Sequence, residues 1–202
     1  LRQVEAVRET ALTAYFDRAK ADYPGAEVHI RAYVDIKGFA MTDGQSDVME
    51  GGCTCGAVRY RLKARPLFVH CCHCSWCQRE SGSAFAVNAF IEASQVELLK
   101  GRLTQTTLPS ASGKGQIFWR CADCGVTVWS NYPQAGPRIH FIRAGTLDDP
   151  SRAPPDIHIY TSTKQPWVVI PDGVPAVSKF YRPADYWPSE SAARFKSAIA
   201  TR

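Results

Sequence analysis

The feature that most constrains this chain is the grouping of its eight cysteines. They are Cys53 and Cys55 in GGCTCG, Cys71, Cys72, Cys74 and Cys77 in HCCHCSWC, and Cys121 and Cys124 in CADCG. Disulfide frameworks usually staple secreted chains shorter than ~100 residues, whereas this chain has 202 residues. Cysteines spaced C-x-C and C-x-x-C can place two thiolates on one tetrahedral zinc ion. The spacing therefore favours metal binding over disulfides.

Composition is that of an ordinary soluble globular protein, with 45% hydrophobic and 21% charged residues. No run approaches the ~18 apolar residues that span a membrane, so we expect no membrane partner. The chain does not open with the basic and apolar regions of a secretory signal. We expect a cytoplasmic location, where thiols stay reduced.

The N-terminal region differs from the rest of the chain and contains no cysteine. Apolar residues recur at helical spacing over 4–15 and alternate as in a strand over 28–36. Residues 1–40 are therefore predicted to be a short αβ extension, for which the sequence suggests no role. Residues 41–50 are polar and aperiodic and are predicted to be a linker, with Met41 as an alternative natural start.

From Gly51 onward the pattern predicts a mainly β domain over residues 51–188. Val58, Tyr60 and Leu62 alternate with basic residues, which is the period of a half-buried strand. Further short segments rich in aromatic and β-branched residues predict strands: AFAVNAFI, QIFWRC, VTVWS, RIHFIRAG and IHIYTS. Residues 189–202 are predicted to form a C-terminal helix.

The outer cysteine pairs predict a closed metal site. Cys53 and Cys55 would point the same way on an extended segment, because alternate side chains share a face. Cys121 and Cys124 form a C-x-x-C knuckle, whose tight turn Gly125 permits. Together they supply four thiolates, the ligand set of a structural zinc site.

The central group predicts a second, open site. Cys72, Cys74 and Cys77 supply three ligands and leave one position free, as in catalytic zinc sites. Cys71 should point to the opposite face of the strand from Cys72, into the core. A closed site with Cys71, His70 or His73 as fourth ligand is the alternative, although His73 should turn away from an ion shared by its neighbours.

Several motifs together resemble those of the glutathione-dependent formaldehyde-activating enzyme family, which includes centromere protein V. They run in order over residues 51–176: GGCTCGAVRY, CHCSWCQRESGSAF, WRCADCGVTVWS, GTLDDP and IHIYTSTKQPWVVIPDGVP. The resemblance implies an Mss4-like β fold, stapled by two zinc ions per chain. It implies a structural zinc on Cys53, Cys55, Cys121 and Cys124, and a catalytic zinc on Cys72, Cys74 and Cys77.

The family activity is that of a carbon–sulfur lyase, S-(hydroxymethyl)glutathione synthase, which joins glutathione and formaldehyde. A small thiol such as glutathione is therefore the expected partner, bound at the open zinc position. Residues 41–202 carry the chain's net positive charge, which suits an anionic thiol. Arg79 and Trp76, beside the open site, are the candidate substrate-binding residues, and Arg120 lies next to Cys121.

The alternative function is a non-catalytic zinc-binding module that binds nucleic acid or protein. Its support is the basic strand face of Arg59, Arg61, Lys63 and Arg65. No aromatic residues interleave there to stack on bases, so a nucleic-acid partner is not favoured. The sequence gives no indication of the oligomeric state.

Overall fold

The computed structural model of this protein describes residues 47–110 and 113–200. The predicted N-terminal extension and Met41 lie outside these ranges. The described residues form ten strands and two α-helices. The elements are β1 (Met49–Gly52), β2 (Arg59–Leu62), β3 (Phe68–Cys72), α1 (Ser75–Ser81), β4 (Ala86–Glu92), β5 (Val96–Lys100), β6 (Leu103–Leu108), β7 (Gln116–Cys121), β8 (Thr127–Asn131), β9 (Ile139–Arg143), β10 (Ile157–Ile159) and α2 (Ser189–Ala200). The prediction of a mainly β fold is confirmed.

The strands form two sheets. A three-stranded sheet has the order β1-β2-β5, and a seven-stranded sheet has the order β10-β3-β4-β9-β8-β7-β6. All pairs are antiparallel except β10, which runs parallel to β3 at one edge of the larger sheet. β1 includes Met49 and Glu50, which are the last two residues of the segment predicted as a linker.

The main core lies between the two sheets. Tyr60 and Leu62 of β2 are fully buried there, while Arg59 and Arg61 point outward. They pack with Ala89 and other residues from one face of the larger sheet. The alternation predicted for β2 is therefore confirmed, because one face of this strand meets the core.

The two faces of β3 pack against different apolar clusters. Phe68 and Cys72 pack in a second apolar cluster, whereas Val69 belongs to the main core. All five residues of the strand are buried, so both faces are covered. This period of two places Cys71 and Cys72 on opposite sides of the sheet.

The C-terminal segment covers the face of the larger sheet that carries Phe68 and Cys72. Arg194 of α2 makes two hydrogen bonds to the carboxylate of Glu92, at 2.9 and 2.7 Å. Trp187 stacks on Phe68, and its ring meets Phe195 edge-on at 5.4 Å between centroids. This helix is thereby fixed against the end of β4.

No helix among the described residues is long and apolar enough to cross a membrane.

Candidate metal centres and the adjoining cavity

Four cysteines from two distant turns converge at one edge of the main core. The sulfurs of Cys53, Cys55, Cys121 and Cys124 all lie within 4.8 Å of one another. Two of these separations are 3.3 Å, from Cys53 to Cys55, and 3.8 Å, from Cys55 to Cys121. Tetrahedral zinc with ~2.3 Å bonds to sulfur requires separations of about 3.8 Å. The four residues thus fit a zinc ion with a closed ligand shell.

Each pair of these cysteines belongs to a tight turn, and each turn is closed by backbone hydrogen bonds of its own. The Cys53 N–H donates to Val58 and the Cys121 N–H to Val126, at 3.1 and 2.9 Å. Gly125 closes its turn with a φ of 73°, a conformation that favours glycine. The expectation of an extended segment at Cys53 and Cys55 was wrong, because β1 ends at Gly52. Convergence of their sulfurs arises from a turn instead.

Backbone donors favour the thiolate form at two cysteines of this site, Cys53 and Cys124, whereas at Cys55 a backbone donor works to lower the pKa but hydrogen bonds with the neighbouring thiols raise it to about 12. Burial works to raise the pKa of Cys53, but the Val58 N–H, 3.2 Å from its sulfur, and the neighbouring thiols lower that pKa to about 6. The Val126 N–H is the main cause of a lowered pKa at Cys124. Thiolate is the form that binds metal. The site is therefore prepared for a cation.

The second group is built around the start of α1. Cys72 ends β3, Cys74 is the N-cap of the helix, and Cys77 lies in its first turn. The Cys77 N–H donates to the Cys74 sulfur at 3.4 Å, which satisfies one of the open N–H groups of the helix end. The three sulfurs lie within 4.8 Å of one another. Among the described residues, no fourth Cys, His, Asp or Glu joins this group.

The pKa values of the three thiols in this second group are shifted in different directions. Hydrogen bonds from Cys72 and Cys77 lower the pKa of Cys74 to about 2. The Cys72 hydrogen bond works to lower the pKa of Cys77, but the Cys74 thiolate and burial raise it to about 12. Hydrogen bonding to Cys74 likewise raises the pKa of Cys72. Without a cation, Cys74 holds the negative charge, and a bound dication would favour thiolate at all three.

Cys71 lies in a third, fully interior group. The His73 and His158 rings are 2.9 Å apart, from Nε2 to Nδ1, and the Cys71 sulfur is 3.6 Å from His73. All three residues are buried. One thiolate and two neutral imidazoles would leave a net charge on a zinc ion held in this interior, which is costly. The pair of histidines is instead joined by its own hydrogen bond.

His70, the other residue considered as a fourth ligand, is also engaged elsewhere. Trp187 donates its indole N–H to the Tyr181 hydroxyl at 2.7 Å. The Tyr181 hydroxyl in turn hydrogen-bonds to His70 Nε2. Because an indole N–H can only donate, the Tyr181 hydroxyl accepts from Trp187 and keeps its own proton for a further hydrogen bond. Burial lowers the pKa of His70 to about 3, so its ring is neutral.

A cavity of about 450 Å³ borders the three-cysteine group, and we call it the aromatic cavity. Its lining includes Cys72, Cys74 and Cys77 together with many aromatic rings. Trp76 comes from α1, and Phe90, Tyr132, Phe141 and Tyr160 come from the sheet and its loops. Those from the C-terminal segment are Phe180, Trp187 and Phe195. None of the described residues lining it is Lys, Arg, Asp or Glu.

The two predicted substrate-binding residues, Trp76 and Arg79, lie in or beside this cavity. Trp76 is 42% exposed and lines both the aromatic cavity and a neighbouring one of about 230 Å³. Exposed Arg79 lines only the smaller cavity. Arg120 is instead paired with Glu80, at 2.9 Å. Of Arg79 and Arg120, only Arg79 is exposed beside the cysteine group, where its positive charge could meet a ligand.

Tyr160 was missed by the sequence reasoning, although it lies in the quoted motif IHIYTS. It is the only non-glycine residue with positive φ among the described residues, at 56°. Such a conformation costs on the order of 1–3 kcal/mol and is concentrated at functional sites. Burial first, and then the electrostatic effect of the nearby Cys72, Cys74 and Cys77 group, raise the pKa of Tyr160. Its hydroxyl is therefore protonated, and the residue lines the aromatic cavity.

Fold and sites together define a mainly β protein with two separate cysteine centres suited to metal, one closed and one open to a cavity. A family model described as glutathione-dependent formaldehyde-activating enzyme matches residues 48–163, more than half of the chain. The chain belongs to this family, as the motif series indicated.

Two individual proteins show the extent of the similarity. A Halomonas elongata protein named "Putative glutathione-dependent formaldehyde-activating enzyme" is 27% identical over 128 residues, covering 61% of this chain and 81% of that protein. A Rhodobacter sphaeroides crystal structure from a structural genomics programme is 22% identical, with a TM-score of 0.37. It covers 50% of this chain and 88% of that one.

Proposed function

We propose that this protein is a zinc-dependent carbon–sulfur lyase that forms or cleaves the adduct between a small thiol, such as glutathione, and an aldehyde. The observation that carries the proposal is the three-cysteine group at the wall of the aromatic cavity. Three ligands from one protein and an accessible fourth side are the arrangement of catalytic zinc sites. Membership of the family supports the same reaction class.

Two zinc ions would have different tasks. Cys53, Cys55, Cys121 and Cys124 would hold a structural ion, because they leave no position open. Cys72, Cys74 and Cys77 would hold the second ion. When bound there, zinc supplies a soft position at which an incoming thiol is held as its reactive thiolate.

Residues of the cavity wall complete the reaction. A bond forms between the thiol sulfur and the aldehyde carbon, and the thiol proton ends on the aldehyde oxygen. Cleavage runs the same step backwards. Tyr160 has a hydroxyl in the cavity wall near Cys72 and Cys74, so it would hydrogen-bond the aldehyde oxygen and stabilise its developing charge.

The anionic ends of glutathione need a place outside the aromatic cavity. Arg79 lies in the adjacent smaller cavity, which shares Trp76 and Cys77 with the aromatic one. A carboxylate bound to Arg79 would leave the thiol free to reach the three-cysteine group past Trp76. Arginine binds carboxylates through two parallel hydrogen bonds, which gives orientation as well as affinity.

The decisive experiment compares the parent with Cys74→Ser and with Cys71→Ala, a cysteine that faces the other side of the sheet. Rates of adduct formation must exceed the uncatalysed addition of glutathione to formaldehyde. We expect Cys74→Ser to fall to that background while remaining folded by circular dichroism, and Cys71→Ala to keep the parent rate.

A cobalt-substituted sample tests thiol binding separately. Glutathione should change the visible absorption of cobalt in the parent and in Cys71→Ala. If the parent shows neither catalysis above background nor a change in cobalt absorption, the lyase proposal fails.

The alternative interaction module receives little support from its basic strand. Arg59 donates to Asp148 at 2.7 Å, and Arg61 donates to Glu50 at 2.9 Å. Arg65 is paired with Asp47. These carboxylates pair with three of the four basic residues on the face that would have met phosphates. Salt-dependent binding to duplex or single-stranded nucleic acid would revive the alternative.

A further inference from the structure

The aromatic cavity is far larger than formaldehyde needs. Formaldehyde has two non-hydrogen atoms and occupies a volume of the order of one or two water molecules, each about 30 Å³. The cavity has about 450 Å³, within the range of sites for drug-sized ligands. Formaldehyde would leave most of this space to water, against walls that favour apolar groups.

Part of the aromatic wall comes from a part of the chain outside the family match. The match ends at residue 163, whereas Phe180, Trp187 and Phe195 follow it. All three line the aromatic cavity, where Trp187 stacks on Phe68 of β3 and Phe180 meets the His70 ring edge-on. The family match therefore does not include this part of the wall.

The wall is held in place by polar contacts. The Trp187–Tyr181–His70 hydrogen bonds tie the C-terminal segment to β3. Arg194 of α2 binds Glu92 at the end of β4. A cavity that is already formed spares a ligand the cost of ordering it, which strengthens binding.

The charge distribution selects what can enter. The described lining residues include no charged side chain of Lys, Arg, Asp or Glu. With three thiolates on one dication, the metal group itself would be anionic. A carboxylate would therefore be desolvated and repelled here, which is costly. The space suits the uncharged substituent of the electrophile.

We propose that the electrophile handled by this site is an aldehyde bearing an aromatic or other bulky apolar substituent. The inference rests on the proposed lyase function. The substituent occupies the aromatic cavity, and the carbonyl carbon faces the three-cysteine group. The thiol sulfur bonds to that carbon, its proton goes to the carbonyl oxygen, and cleavage returns both reactants. No oxidant or further reactant is required.

Binding is tested first, without any reaction. The probe is 3-phenylpropanol, an unreactive alcohol with the size of the proposed substrate. Because Trp76 and Trp187 line the cavity, we expect it to change the tryptophan fluorescence of the full-length protein saturably. Propanol at equal concentration should not. Equal responses to the two alcohols would overturn the proposal.

Selectivity is tested next, with 3-phenylpropanal and formaldehyde as alternative electrophiles for glutathione. We expect kcat/KM above background to be at least about tenfold higher for 3-phenylpropanal, as expected for apolar groups added in a fitting pocket. Phe180→Ala should lower this ratio at least about threefold. Trp167→Ala is the matched control, because Trp167 is 72% exposed and lines neither cavity.

The outcomes separate this inference from the proposed function. If glutathione alters the cobalt absorption and formaldehyde turns over, but the ratio is one or below, the apolar electrophile is wrong and the lyase function stands. If glutathione does not act at the metal at all, the lyase function fails, and this inference fails with it.

Discussion

Glu80 of α1 and Arg143 of β9 form a buried ion pair beside the three-cysteine group, with side chains 8% and 10% exposed. Arg143 also donates to Asn88 of β4 at 2.6 Å. Arg120 and Thr127 donate to the other oxygen of Glu80, each at 2.9 Å. The helix that carries Cys77 is thereby fastened to three strands, β7, β8 and β9, and through Arg143 it is linked to β4.

Removing Glu80 should destabilise the protein strongly. Glu80→Ala would leave the guanidinium groups of Arg143 and Arg120 without their carboxylate, and breaking a buried pair in this way costs about 3–5 kcal/mol of unfolding free energy. Urea unfolding measures the loss. Asp185→Ala, which breaks the exposed pair with Arg182, is the control and should change the midpoint little. A Glu80→Ala protein with the parent's midpoint would contradict this account.

The sequence predicted much less about α1 than about the cysteines it positions. The helix has seven residues, so it completes too few turns to show an apolar period. Cysteine spacing is a stronger signal, because metal geometry constrains it over a few residues. Glu80 carries no local sign of burial, since its three partners come from strands far along the chain. Such long-range pairing is visible only in the fold.

The metal content should be two zinc ions per chain. The four-cysteine and three-cysteine groups each fit one tetrahedral ion. Elemental analysis of protein purified without chelators measures the stoichiometry. A value near one, or iron in place of zinc, would contradict the two-site account.

Loss of the closed site should unfold the domain. Cys121 is 1% exposed and joins a turn after β7 to one after β1, and the free energy of binding a structural zinc is folding free energy. We expect Cys121→Ser to aggregate or to lose its cooperative thermal transition. Cys74→Ser should lose one zinc and keep that transition. Parent-like melting of Cys121→Ser would show that the four-cysteine site is not structural.

Cys71 should be dispensable for zinc. Its sulfur lies with His73 and His158, on the other side of β3 from Cys72. Cys71→Ala is therefore expected to retain the parent's zinc content, measured by elemental analysis. A loss of one equivalent would place Cys71, with the two histidines, in a metal shell.

The strands were easier to predict from sequence than the cavity. β2 alternates arginines with buried Tyr60 and Leu62, and β4 contains Val87, Phe90 and Ile91, so both strands show a local signal in the sequence. The walls contributed by Phe180 and Trp187 come from a segment without regular strands or long helices. Its residues are positioned by contacts with the larger sheet, so no local period could reveal that they line a cavity. Tyr160 could not be identified from the sequence for the same reason, because its positive-φ conformation is set by its tertiary contacts.

The neutral form of His140 should contribute to stability only above mildly acidic pH. Its Nδ1 lies 3.0 Å from the Asn131 amide nitrogen, which also donates to the Ile139 carbonyl. The amide therefore donates to a neutral ring, and a proton on Nδ1 would oppose it. Burial lowers the pKa of His140 from 6.5 to about 4. The unfolded chain thus binds this proton at higher pH than the folded one, so stability falls as pH drops.

The comparison of the parent with His140→Gln isolates this effect, because glutamine can accept from Asn131 and does not titrate. Urea unfolding of both proteins, with excess zinc present, should give a difference in unfolding free energy that is constant above about pH 7. Between pH 6.5 and 4, the parent should lose about 3 kcal/mol relative to the variant. Acid release of zinc affects both proteins alike and cancels in the difference. A difference that stays constant down to pH 4 would mean that His140 is not held neutral by the fold.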